Sequence, residues 1–212
     1  MSNDFVIEEI FPCPVYFAHR NSDLDLLELE DVKSIVDDEE EGMHVNQRNS
    51  ISNNTYIFNT KLKKIKEFCE KHIKIYVKEV INPKEELNFY ITQSWLNLTE
   101  PGESHHRHWH SNSLISGIFY ITTTENDKVQ FYDPNATFRH QTSFEVANYN
   151  IFNSQTYVYD VNSVDLFLFP SWLEHSVEKN EKATRNRISI SFNVCVKGIM
   201  GTKQGLNELI LK

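Results

Sequence analysis

The first third of the chain is patterned for helix and the rest for sheet. From Thr60 to Ile81, the apolar residues Leu62, Ile65, Phe68, Cys69, Ile73, Tyr76, Val77 and Val80 recur every three or four positions, and lysines fill the opposite face. That spacing predicts an amphipathic helix. Asn82-Pro83 ends it, because proline disfavours helix at the residue before it. Looser helical spacing at Leu24, Leu27, Val32, Ile35 and Val36 predicts a shorter helix ahead of Gly42. On these helices Cys69 and His72 read as packing residues. The opening Phe11-Pro-Cys-Pro-Val-Tyr-Phe is extended and fit for an edge strand, since each proline removes a ladder donor.

After Pro83 come short runs rich in β-branched and aromatic residues. Strands are predicted at Phe89–Leu98, Leu114–Thr123, Lys128–Tyr132, Ser143–Val146, Thr156–Val161, Val164–Phe169 and Arg187–Val196. Turn chemistry separates them at Glu100-Pro-Gly-Glu, Glu125-Asn-Asp-Lys, Asp133-Pro-Asn and Lys179-Asn-Glu-Lys. Short strands on hairpin-length connections predict a mainly β fold with N-terminal α-helices. Its core is a jelly roll of two antiparallel sheets, with the helices packed on one outer face. At 212 residues the chain suits a single domain, with 1–83 as extended and helical support, 84–197 as the jelly-roll core and 198–212 as a C-terminal tail.

Composition narrows the function. A net charge of −9, with no basic run outside Lys61–Lys78, argues against a nucleic-acid partner. The acidic stretches Asp23–Asp31 and Asp37–Glu41 read as a solvated face and a loop. Three widely spaced cysteines imply neither a disulfide framework nor a zinc motif and fit a reducing compartment. Neither a basic-then-apolar leader nor a run of about 18 apolar residues is present, so no membrane partner is expected and the cytoplasm is the expected location.

Candidate chemistry concentrates in Ser104-His-His-Arg-His-Trp-His110, which holds four of the nine histidines. Alternation on a strand lets His108 and His110, or His106 and His108, aim both rings at one point. Either pair would chelate a metal that accepts imidazole, such as iron, zinc, copper or nickel. His175, where an apolar strand ends at Phe169-Pro170, is the best third ligand. His19, His44 and His140 read as surface residues. The last strand opens with Arg187, Ser189 and Ser191 on one face and Ile188, Ile190 and Phe192 on the other. An Arg fork with a neighbouring hydroxyl suits the end of a dicarboxylate.

These residues fall within blocks that resemble the 2-oxoglutarate and iron(II)-dependent dioxygenase superfamily, specifically a group of small oxygenases common in marine bacteria and their phages. The blocks are Ser94-Trp-Leu-Asn-Leu, His108-Trp-His110-Ser-Asn-Ser-Leu-Ile-Ser-Gly-Ile-Phe-Tyr, Phe131-Tyr-Asp-Pro, Leu168-Phe-Pro-Ser-Trp-Leu-Glu-His175-Ser-Val and Arg187-Ile-Ser-Ile-Ser-Phe-Asn193. Phe11-Pro-Cys-Pro-Val is similar to the group's opening. The resemblance implies a double-stranded β-helix with Fe(II) on His108, His110 and His175, His110 standing where the wider superfamily has a carboxylate. It implies 2-oxoglutarate held by Arg187 with Ser189 assisting, and Tyr120 and Asn97 as further candidates. Trp95, Trp109 and Trp172 would wall the pocket.

The implied reaction couples decarboxylation of 2-oxoglutarate to succinate with hydroxylation by dioxygen. Ascorbate is a further candidate cofactor. The substrate, a small molecule or a prolyl or other residue of a peptide or protein, would be chosen by loops such as Gln47–Thr60 and Asn135–Gln155. A phage-encoded chain would work in the host cytoplasm, and oligomerisation stays open. Two rival readings use the same residues: a cupin-like zinc-binding protein or hydrolase, and a non-enzymatic binding module with an incidental histidine cluster.

Overall fold

The structure, a computed structural model, describes residues 5–40, 42–136 and 145–212. In chain order its elements are β1 (Tyr16–His19), α1 (Leu26–Val36), β2 (Met43–Asn46), β3 (Asn49–Ser52), α2 (Lys63–Tyr76) and β4 (Asn88–Thr99). They continue with β5 (His105–His108), β6 (Ile115–Thr122), β7 (Lys128–Tyr132) and β8 (Thr156–Asp160). The last are β9 (Asp165–Pro170), β10 (His175–Val177), β11 (Arg187–Met200) and β12 (Leu209–Leu211). One sheet runs β1-β9-β6-β11-β4-β3-β2, with β12 on the far end of β11, and the other runs β5-β10-β7-β8. Every ladder between these strands is antiparallel. The mainly β jelly roll expected from the strand pattern is the fold observed.

Period-two alternation gives the large sheet two different faces. On one, Ile115, Phe119 and Ile121 of β6, Leu166 and Leu168 of β9, and Ile190, Phe192 and Val194 of β11 pack with Val32 and Ile35 of α1 and Ile65, Cys69, Ile73 and Tyr76 of α2. The helices therefore cover this outer face, and the apolar stripe of α2 holds them there. On the other face, Ile118, Tyr120, Phe167 and Phe169 meet Val129, Phe131 and Leu173 from the small-sheet side, forming a second cluster between the sheets. Gly117 faces outward directly beneath the Phe192 ring. A Cβ there would lie 2.1 Å from ring carbon Cζ.

The acidic segment around α1 does more than meet solvent. Asp25 and Glu28 form a reciprocal capping box. Glu28 is buried and pairs with Arg20 at 2.8 Å, and Asp31 accepts the Leu62 N–H at 2.7 Å, tying α1 to the start of α2. His72, as expected, is a packing residue; its Nδ1 lies 2.8 Å from the Tyr16 hydroxyl.

Several expectations need correction. β9 begins at Asp165 because Val164 adopts a left-handed backbone, φ +64°, with its N–H on the Tyr120 carbonyl. The hairpin β2–β3 and the short strands β5, β10 and β12 were not foreseen, and β11 runs on to Met200 into the expected tail. Gln47–Thr60 contains β3 and a 3-10 turn at Ile57–Asn59, not a plain loop. The strand expected at Ser143–Val146 begins outside the described residues, and Glu145 and Val146 are not in a strand. His140 and part of Asn135–Gln155 also lie outside them.

Candidate metal centre and its pocket

β5 and β10 pair so that His108 stands directly opposite His175, and a bulge follows between His175 and Val177. That bulge gives β5 one residue more than its partner, so strict alternation fails along His105–His108. β5 ends at His108. His110 lies in the following loop and not on a strand, as alternation had suggested, and reaches the centre because its N–H donates to the Ser171 carbonyl at 2.9 Å. The His108 and His175 ring centres are 4.3 Å apart, His108 and His110 5.2 Å, and His110 and His175 5.3 Å. One nitrogen from each falls within 4.8 Å of the others. An ion held by bonds of about 2.1 Å would bring these nitrogens to within about 4.2 Å of one another. His105, His106 and His108 also group within 4.8 Å, so both pairings left open by the sequence exist in space.

The remaining ring nitrogens separate the two groups. Nδ1 of His108 meets the His106 carbonyl at 2.7 Å, Nδ1 of His175 meets the Leu173 carbonyl at 3.1 Å, and Nδ1 of His110 meets Oδ1 of Asn193 at 2.6 Å. An oxygen in these positions only accepts, so each Nδ1 carries the proton and each Nε2 keeps a free lone pair. Nε2 of His110 is buried and has no hydrogen-bonding partner among the described residues. Burial, the largest cause in each case, lowers the pKa of all three rings, to about 4 for His108 and well below the usual range for His175. All three are neutral near pH 7, the form that binds metal.

Beside the rings lies a pocket lined by Trp95, Asn97 and Thr99 of β4, His105 and His108 of β5, Ile118 of β6, His175–Val177 of β10, and Arg187, Ser189 and Ser191 of β11. The polar face predicted for the last strand is thus its inner wall. Asn97 donates to Ser191 Oγ at 2.9 Å. Trp95 stacks on His110 with ring centres 5.6 Å apart. Trp109 and Trp172 are more than half exposed and are not among the lining residues, a correction to the expected aromatic wall. Tyr120 is fully buried and does not line the pocket either; its hydroxyl accepts from Arg187 Nη2 at 3.1 Å.

Three residues with parts in this site were missed. His105 lines the pocket, and burial pushes its pKa down to about 3. Asn193 continues the inward register of Arg187, Ser189 and Ser191, so extending the alternation two residues would have found it. Asp127 pairs with Arg187 at 3.2 Å, both nearly buried. Burial raises the Asp127 pKa against the pull of the guanidinium. In the sequence it is only one polar residue of a turn, and no pattern marks it.

Fold and site together define a jelly-roll protein in which a cluster of three imidazoles, one of them buried, and a buried guanidinium flank one pocket. Residues 93–193 match the family described as "Putative 2OG-Fe(II) oxygenase", the oxygenase class that the motif blocks resemble. No match was found among curated proteins. Solved structures with this fold include the non-heme alpha ketoglutarate dependent carbocyclase SnoK from nogalamycin biosynthesis, at 10% identity and TM-score 0.59 over 92% of this chain and 85% of that one. A Pseudomonas putida prolyl-4-hydroxylase is similar at 13% identity and TM-score 0.55 over 85% and 92%. HygX from Streptomyces hygroscopicus, solved with nickel, 2-oxoglutarate and hygromycin B, is similar at 10% identity and TM-score 0.54 over 86% and 82%. At these identities the likeness is one of fold.

Proposed function

We propose that this chain is an Fe(II)- and 2-oxoglutarate-dependent dioxygenase in which His108, His110 and His175 hold the metal and Arg187 receives the distal carboxylate of 2-oxoglutarate. The observation that carries the reading is the set of three free Nε2 lone pairs, each fixed by an oxygen behind its ring. Such outer partners fix ring orientation and raise ligand basicity. The donor set fits a divalent ion that accepts imidazole, and the orphaned Nε2 of His110 is the atom such an ion would satisfy. When bound, the metal supplies the activation of dioxygen that couples decarboxylation of 2-oxoglutarate, yielding succinate, to oxidation of a substrate.

The remaining work falls to the chain. Arg187, held by Tyr120 and Asp127, presents donors to a carboxylate, with Ser189 and Asn97 beside it. Ile118, Phe131 and Phe169 keep water from the side of His175 that faces the core. Hydroxylation of a small molecule, or of a prolyl or other residue in a peptide or protein, is the reaction proposed; 2-oxoglutarate supplies its two electrons, and ascorbate would serve only to keep the metal in its ferrous form.

The test is anaerobic calorimetry with Fe(II) and then 2-oxoglutarate, followed by a succinate-release assay. His108→Ala, His175→Ala and Asn193→Ala should weaken metal binding, the last by about 10- to 100-fold as expected for loss of an outer-shell partner. Arg187→Ala should weaken 2-oxoglutarate binding and leave metal binding in place. Tight 2-oxoglutarate binding in Arg187→Ala would remove that role from Arg187.

One observation favours a second reading. Three neutral imidazoles also form a catalytic zinc set, and Arg187 already has a carboxylate partner. A zinc-binding protein or hydrolase would take Zn(II) with no regard to 2-oxoglutarate, and the calorimetry separates the two.

A further inference from the structure

The guanidinium at the far end of the pocket does not wait bare for an anion. Arg187 Nη1 donates to Oδ1 of Asp127 at 3.2 Å and to the Lys128 carbonyl at 3.4 Å, and Nη2 donates to the Tyr120 hydroxyl. The Lys128 N–H holds the same Oδ1 at 2.9 Å, while the buried Oδ2 has no partner among the described residues. A buried charge pair is strongly coupled, so a second anion approaching Arg187 meets the Asp127 charge as well.

At the metal end the balance runs the other way. An ion held by two histidines and a carboxylate has one of its charges cancelled by its own ligands. Three neutral imidazoles cancel none. A divalent ion on this triad beside a neutral Arg–Asp pair thus carries the same total charge as a carboxylate-ligated ion beside a free arginine, but the charge is concentrated at the metal.

Resting on the dioxygenase reading, we propose that Asp127 is a positioning residue that sets co-substrate specificity: it weakens the hold on a distal carboxylate, so the pocket accepts 2-oxo acids with uncharged tails nearly as well as 2-oxo diacids. The metal end, with its uncancelled charge, supplies most of the binding through the 2-oxo acid group common to both classes.

The test compares 2-oxoglutarate with 2-oxopentanoate, a chain of equal carbon number without the distal carboxylate, by calorimetry on Mn(II)-loaded protein. The wild-type protein should prefer the diacid by less than about tenfold. Asp127→Asn, near in shape and able to keep the Lys128 N–H bond, should raise that preference by about tenfold or more by tightening 2-oxoglutarate alone. In the same variant 2-oxoglutarate, but not 2-oxopentanoate, should raise the thermal midpoint more than it does in the wild type. Asp127→Ser serves if the first variant does not fold. A residue that merely supports Arg187 would lower diacid affinity on substitution, so an unchanged or falling preference overturns the proposal. If Mn(II) binds and neither acid binds to any of these proteins, the dioxygenase reading itself fails and takes the proposal with it.

Discussion

Each imidazole of the triad resists protonation because its charged form would lose water, and the charged forms of His108 and His175 would also meet other rings. Unfolded, these histidines take up a proton near pH 6.5; folded, His108 does so only near pH 4. Between these values the unfolded chain binds more protons, so the metal-free protein should lose stability as pH falls through that window. Thermal unfolding of metal-free protein between pH 7.5 and about 4 checks this, and His175→Gln should flatten the profile. A profile flat below pH 6.5 in the parent protein would contradict it. At this scale the sequence was legible where chemistry restricts residue type. Few side chains bind metal, so His108, His110 and His175 stood out, and the serines in step with Arg187 marked its face. Asp127 did not stand out, because a turn aspartate looks the same whether it meets water or a buried guanidinium. Tyr120 was singled out for the pocket, but it acts on the guanidinium from behind.

Elements with a long, regular pattern were readable and short ones were not. The helix α2 and the strands β4, β6, β7, β9 and β11 have enough residues for alternation or helical spacing to show. β10 has three residues and β5 four, mostly histidine, so no period could emerge; β5 is held by β10, and β10 lies between β5 and β7. The hairpin of β2 and β3 has only three apolar residues in its two strands, Met43-His-Val-Asn and Asn49-Ser-Ile-Ser, with Gln47 at φ +59° in its turn. Within β6, Gly117 leaves the space that the Phe192 ring fills across the strand pair. Gly117→Ala should therefore force that ring aside and cost about 1–3 kcal/mol, as overpacking in a core does, measured by denaturant unfolding. A neutral result would show that Phe192 has room to swing away.

For the whole molecule, the large sheet separates support from chemistry. Phe119 sits in the outer cluster, where it meets Phe68 of α2, and Phe169 sits in the inner one with its ring centre 4.7 Å from that of His175. Both Phe119→Ala and Phe169→Ala should cost about 3–5 kcal/mol in unfolding free energy. Under the proposed reading only Phe169→Ala should also weaken Mn(II) binding. Equal losses of metal affinity would mean that the two layers are not energetically separate. Both layers were foreseeable from alternation alone, because every residue of a strand must choose a side. The same rule gives β11 a further property. Arg187, which faces one end of the pocket, and Asn193, which orients a ring at the other, are teeth on one comb, with Ser189 and Ser191 between them. Any insertion that slipped this strand by a single position would turn all four outward at once, so the length and the polarity of the cavity are specified by one register and must be kept or lost together.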